Sequence, residues 1–413
     1  MSSFSGNTGA GRKPDSNGIN PLRLLVDVGV AVALVAALAV VFALDRGTTS
    51  SDAPDRVEEV VVANGDDDLV PLDYQPLRLA VTPPEYDDMG KLLDTLGEGY
   101  RYTIIDYNDL LVADRLGRYD VVFLTCSGVP RQWLSRRVRE SERGGGGVFR
   151  PRRDVMQMVR TSLRTFVAQG GTLYVSDFHF SLLANCFREF VDRSKVGRGA
   201  EQTVTADVVD SGLKRRLGPT IELRFDKPSW RPAAFEGPKV TEYLRGTYKT
   251  TKDDEVTAPL LVKIPFGRGT IIFTSFHNEA QNSEMELELL HYLVFASVTA
   301  DLEADVKRTM TSGGFSPVHG NLLSASAADQ SLTETYHCDG RRDLQFVLGF
   351  KRQGARLRLV VVGPEGRRLE KAGTSTITLD VPDAAAGDWR YTVTPLEVPY
   401  ENFPYTLTVG EKR

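Results

Sequence analysis

Closely spaced cysteines are missing from this sequence. The three cysteines, Cys126, Cys186 and Cys338, lie far apart and form no CxxC pair. That excludes metal-ligand spacing of the finger type and a dense disulfide framework. The simplest reading of all three is small apolar core residues. A basic excess is missing too. The formal net charge is −5, which argues against a general nucleic-acid binder. No internal repeat is visible. What is present is ordinary globular composition, 41% apolar and 25% charged over 413 residues. That is enough for two or three domains with buried cores.

The longest apolar run lies near the N-terminus. Val28 to Leu44 carries no charged side chain, and residues 22–44 are interrupted only by Arg23 and Asp27. About 20 such residues cross a hydrocarbon core as a helix. Asp27 sits near one end, where a carboxylate reaches the headgroups. A cleaved signal peptide is the competing reading, but its apolar core is shorter, about 7–15 residues, so a retained single-pass anchor is expected. Arg12, Lys13 and Arg23 precede the span, while Arg46 and Arg56 follow it among Asp45, Asp52 and Asp55. The positive-inside rule then places residues 1–21 as a disordered cytoplasmic tail. The soluble body falls outside the cytoplasm, on a bacterial-type cell membrane. Residues 45–76 read as a linker.

From residue 77 to about 300, apolar strands alternate with amphipathic helices. Strands are expected at 77–83, 102–108, 120–126 and 172–177. Helices are expected at 87–97, 154–169 (Asp154 as N-cap) and 180–191. Such alternation implies a mainly parallel sheet covered on both faces. A β-rich stretch follows at 203–209, 221–225 and 239–246. The runs 258–266 and 269–277 are joined by a hairpin-like Gly267-Arg268-Gly269. A helix at 283–298, with an apolar stripe through Leu287, Leu290 and Val294, closes the domain. Residues 301–330 are polar and read as a second linker. Residues 331–413 show short strands at 334–338, 343–350, 356–363, 375–381, 388–395 and 405–410, the pattern of an all-β sandwich.

The strand-loop Asp120–Gly128 (DVVFLTCSG), the run LRTFVAQGGTLYVSD (residues 163–177) and GRGTIIFTSFHNE (residues 267–279) together resemble the class I glutamine amidotransferase-like superfamily, ThuA-like proteins included. The resemblance covers residues 77–300 and implies a flavodoxin-like three-layer α/β fold. It also implies a nucleophilic Cys at a strand-to-helix elbow and a His-x-Glu pair after a late strand. The late pair is present as His277 and Glu279. The elbow is Val175-Ser176-Asp177-Phe178-His179, with Asp177 at the nucleophile position and no Gly-x-Cys-x-Gly. Amide transfer needs an activated thiolate, so glutaminase activity is not expected. Cys126 ends a different strand and gives no reason to act as a substitute. Asp177, His179, His277 and Glu279 are the pocket candidates at the carboxyl ends of the strands. They suit a small ligand, a divalent metal or a purely structural polar network. No catalytic residue, metal or cofactor is assigned.

Between Gly128 and Arg160 lie nine arginines, among them Arg131, Arg136, Arg137, Arg139, Arg150, Arg152 and Arg153. They read as a solvated insertion, a docking surface for an acidic protein or anionic headgroups, or a phosphate site. Residues 332–413 resemble the small jelly-roll domains of the pre-peptidase C-terminal kind, which implies binding rather than chemistry. The expectation is a membrane-anchored, non-catalytic binding or scaffold protein. It would meet an envelope protein partner through the Arg-rich loop or the sandwich. The alternative is a hydrolase working through Asp177, His277 and Glu279, directed at carbohydrate or dependent on a metal.

Overall fold

In the computed structural model, residues 61–62, 76–134, 152–325, 331–351 and 354–412 are described. The expected cytoplasmic tail, the 22–44 span, and Arg136, Arg137, Arg139 and Arg150 lie outside the described residues. No described helix is long and apolar enough to cross a membrane.

A two-residue strand, β1 (Val61–Val62), falls in the stretch expected as a linker. The α/β body begins with β2 (Leu79–Val81), β3 (Tyr102–Ile104), β4 (Val121–Leu124) and β5 (Thr172–Ser176). It continues with β6 (Gln202–Val208), β7 (Thr220–Phe225), β8 (Thr241–Lys249), β9 (Glu255–Phe266) and β10 (Gly269–Thr274). These form one sheet in the order β3-β2-β4-β5-β10-β9-β8-β6-β7. The pairs β3–β2, β2–β4, β4–β5 and β5–β10 are parallel. That half has the flavodoxin-like strand order, second-first-third-fourth-fifth. The β9–β10, β8–β9, β6–β8 and β6–β7 pairs are antiparallel and extend the sheet on the other side.

Both faces of β2, β4, β5 and β10 are buried, whereas the edge strand β3 is largely exposed. Leu79, Val81, Val121, Phe123, Tyr174 and Ile272 enter one core, while Ala80, Val122, Leu124, Leu173, Val175 and Phe273 enter the other. The strands are therefore continuous apolar runs. Each large side chain buried this way contributes roughly 1.5–3 kcal/mol.

The helices are α1 (Met89–Thr95), α2 (Ala113–Leu116), α3 (Arg153–Ala168), α4 (Phe180–Cys186), α5 (Ser211–Leu217) and α6 (Glu284–Val298). Arg152, not Asp154, is the residue before α3; Asp154 lies in its first turn, paired to Arg152, where a carboxylate suits the helix dipole. The helix expected over 180–191 stops at Cys186, and a 3-10 turn covers Arg188–Phe190. Helix α6 starts with a capping box. Ser283 Oγ accepts the Glu286 N–H at 3.2 Å and Glu286 Oε2 accepts the Ser283 N–H at 2.7 Å. It is buried nearly all round over Leu289–Val298, whereas Leu287 is exposed. The expected stripe is thus too narrow, because α6 is covered by more than the sheet.

What covers α6 lies in the stretch expected as a linker, 301–330. That expectation is corrected: α7 (Ala300–Ser312) and β11 (Ser316–Ala325) occupy it, and β11 packs on α6. The remaining strands are β12 (Leu332–Cys338), β13 (Arg342–Gly349), β14 (Arg356–Val362), β15 (Arg368–Gly373), β16 (Ile377–Ala384), β17 (Gly387–Glu397) and β18 (Phe403–Lys412). Two sheets result, β1-β15-β14-β17-β12 and β11-β18-β13-β16. Their shared core holds Phe346, Leu359, Val361, Trp389, Tyr391 and Leu407. The sandwich is docked on the α/β body. Val306 and Met310 of α7 meet Val347, and the Tyr100 hydroxyl donates to the Asn402 carbonyl at 2.6 Å.

Candidate functional site

Strand β5 is buried along its whole length and turns at once into a 3-10 turn, Asp177–His179, that leads into α4. Asp177 is the hinge of this elbow. Its φ is +37°, in the left-handed region. Asp tolerates that region better than most residues, but the conformation still costs on the order of 1–3 kcal/mol. The strain is held by the side chain's partners. Oδ1 accepts the Arg231 N–H at 2.7 Å, and Oδ2 lies 3.1 Å from His277 Nε2. Cys126 Sγ, two residues beyond the end of β4, donates toward Oδ2 at 3.6 Å. On the far side of the ring, His277 Nδ1 lies 2.8 Å from Asp226 Oδ1. Asp226 in turn meets Lys227 at 3.5 Å, and both are partly exposed. A charged chain therefore runs from the buried elbow to the surface.

The residues come from the carboxyl ends of adjacent strands, β4 (Cys126), β5 (Asp177) and β10 (His277). Such strand ends are the ligand side of open α/β sheets. The loop after β10 is fixed by Asp87, which follows β2. Its carboxylate accepts the Asn278 N–H at 3.0 Å and the Glu279 N–H at 3.1 Å.

Burial sets the protonation states. It is the largest influence on Asp177, and it raises this carboxyl from the usual range against the hydrogen bond and charge of His277 and the Arg231 N–H. Burial alone favours a neutral His277. The hydrogen bond to Asp177, with the charges of Asp177, Asp87 and Asp226, outweighs it and raises the imidazole to about 9. Burial, helped by the Asp177 charge, pushes the Cys126 thiol far up. Cys126 is thus a thiol rather than a thiolate, and not a nucleophile as it stands.

Of the four pocket candidates, Asp177 and His277 come together. His179 is buried elsewhere. It stacks on Tyr107 at 5.8 Å between centroids, with Nε2 3.3 Å from the Tyr107 hydroxyl. Burial lowers it to about 4, so it is neutral at pH 7. Glu279 points outward and pairs with Lys91 at the surface. Sequence reasoning missed Asp226, Asp87 and the Arg231 amide, and it set Cys126 aside. For Asp87 a signal existed, a carboxylate in the loop after the first strand of the α/β pattern. Asp226 follows β7 on the antiparallel side, and nothing local marks it.

Among the described arginines of the basic segment, Arg131 is exposed in a 3-10 turn, Arg152 pairs with Asp154, and Arg153 opens α3.

No protein family matches the chain, and no curated protein does. Solved structures similar to it include a GMP synthase component from Thermoplasma acidophilum, at 12% identity and TM-score 0.36, covering 58% of this chain and 100% of that one. A glutamine amidotransferase from Thermotoga maritima is similar at 12% identity and TM-score 0.32, over 58% of this chain and 95% of that one. The β-galactosidase of Bacillus circulans sp. alkalophilus is similar at 11% identity and TM-score 0.31, over 76% of this chain and 41% of that one. At these values the fold rests on its own strand order and register.

Proposed function

We propose that this chain is a membrane-anchored binding or scaffold protein whose α/β domain has an amidotransferase-like elbow without amidotransferase chemistry. The observation that carries the reading is the state of Asp177. It stands where the superfamily resemblance implies a reactive thiol, it is fully buried, and both its oxygens are engaged by Arg231, His277 and Cys126. A carboxylate so occupied has no free lone pair aimed at solvent, and Cys126 beside it is held protonated. In this reading residues 22–44 anchor the chain in the cell membrane with the body outside the cytoplasm. The Arg-rich loop, with Arg131, Arg152 and Arg153 at its margins, and the sandwich face an envelope partner. Nucleic acid is not a partner. The test is ammonia release from glutamine by the full chain in detergent, with membrane fractionation and protease protection in cells. No turnover, with a protease-accessible body in spheroplasts, is expected. Glutamine turnover above background, or recovery in the soluble fraction, overturns it.

One observation favours a second reading, a hydrolase. The line Asp177–His277–Asp226 is an acid/base pair oriented by a third group, the arrangement general acid–base catalysis uses. Glu279 adds nothing to it, because Lys91 holds it at the surface. A carbohydrate ester or glycoside that the full chain hydrolyses, and that His277→Ala leaves intact, would establish this reading in place of the first.

A further inference from the structure

We propose that Cys126, Asp177 and His277 form a zinc-class metal site. The inference goes beyond the binding or scaffold reading, which assigns this cluster no ligand. It does not depend on whether the chain is catalytic. Cys126 Sγ, an Asp177 carboxylate oxygen and a His277 ring nitrogen lie within 4.8 Å of one another, and all three residues are buried. The spacings lie close to those around a tetrahedral ion. Zinc bonds of about 2.3 Å to sulfur and about 2.0–2.2 Å to nitrogen and oxygen place neighbouring ligand atoms roughly 3.3–3.6 Å apart. Here Sγ to Oδ2 is 3.6 Å, within that range, and Nε2 to Oδ2 is 3.1 Å, a hydrogen-bond distance that opens by a few tenths of an ångström when the ion takes the proton's place.

Each ligand is also aimed by a second contact. His277 turns Nε2 inward because Nδ1 is held by Asp226 at 2.8 Å, the carboxylate–histidine support typical of metal-bound imidazole. Asp177 turns Oδ2 inward because Oδ1 is held by the Arg231 N–H at 2.7 Å. The backbone at Asp177 is strained into positive φ to deliver it there. Cys126 is the informative member. A thiol is a weak donor to a carboxylate, and a serine would serve a purely hydrogen-bonded network better. A sulfur among nitrogen and oxygen donors is what zinc selects. Asp87 and Asp226 add negative charge around His277, which favours a cation. Zinc takes the place of the Cys126 thiol proton and the His277 Nε2 proton, which are released to solvent on binding, and three protein ligands leave the fourth position to water or a bound anion.

The test titrates the chelator-stripped full chain with zinc against a chromophoric chelator, then repeats it with cobalt. One tightly bound zinc per chain is expected. A near-ultraviolet sulfur-to-cobalt band should be present and should vanish in Cys126→Ser while the visible cobalt bands persist. Asp226→Asn removes no ligand and should weaken zinc by about 10–100-fold. Circular dichroism shows whether each variant is folded. Should Cys126→Ser misfold, the Asp226→Asn shift and the wild-type cobalt band decide. No tight zinc uptake by the wild type overturns the site, as does a cobalt spectrum without the sulfur band. Glutamine turnover would sink the non-catalytic reading and leave this inference standing, so the two failures are separable.

Discussion

Replacing Asp177 with Asn should collapse the unusual basicity of His277 in the metal-free protein. His277 is held at about 9 against an ordinary 6.5. At 1.36 kcal/mol per unit, its neighbours favour the imidazolium by about 3 kcal/mol after burial has been overcome. The first of the opposing contacts is the hydrogen bond to Asp177, so its loss leaves burial opposed only by the weaker influence of the Asp87 and Asp226 charges. The imidazole should then titrate at or below its ordinary value. A raised histidine binds its proton more tightly in the folded state. Its stabilising contribution is fully present below pH 6.5 and is lost as pH rises through about 9. The raised Asp177 carboxyl works the other way, because its ionisation carries a burial cost, so the pair's net contribution is smaller than the histidine's alone. The assay is carbon-13 NMR of histidine-labelled protein, tractable because the chain has five histidines. Expected are His277 near 9 and His179 and His319 near 4. Urea midpoints of the wild type should decline from pH 7 toward pH 10, and most of that slope should disappear in Asp177→Asn. A wild-type His277 that titrates near 6.5, or one unmoved by Asp177→Asn, refutes the reasoning.

Other consequences are open to measurement. His277→Ala leaves Asp177 buried without its charged partner, with only the Arg231 N–H and the Cys126 thiol beside it, and should cost roughly 3–5 kcal/mol in urea unfolding. Glu279→Gln breaks only the surface pair with Lys91, so it should change stability by less than about 1 kcal/mol. Gly269→Ala should be severe: its Cβ would meet the Gly171 and Val167 carbonyl oxygens at 2.2 and 2.3 Å. Thermal unfolding should show a loss of about 3 kcal/mol or more, since backbone cannot give way as a side chain would. Leu293→Ala in α6 should cost about 2–5 kcal/mol by the same assay.

The parts of the fold legible in the sequence were those governed by local pattern. The apolar β4 and the largely apolar β5 and β10 announce a two-faced parallel sheet, and Ser283 with Glu286 marks the start of α6. β11 was hidden because SPVHGNLLSA mixes Pro, Gly and polar residues; its pairing with β18 makes it a strand. β15 (RLEKAG) was hidden for the same reason, since a half-buried, charged strand has no apolar signature. The site divides along the same line. Asp177 and His277 were readable because an elbow and a late-strand loop leave recognisable order. Asp226 and Cys126 join them only through tertiary pairing, across 51 residues in each case. The strain at Asp177 is a backbone property that no residue type displays. His179 and Glu279 sat two residues from the true members, and a two-residue step across a tight turn is enough to send a side chain elsewhere.

The account turns on the absence of a reactive nucleophile at the elbow. The full chain can be exposed to a glutamine-derived chloroketone at neutral pH and its three cysteines mapped by mass spectrometry. Cys126, buried and held protonated beside Asp177, should remain unmodified along with Cys186 and Cys338. Stoichiometric alkylation of Cys126, blocked by excess glutamine, would contradict the account outright.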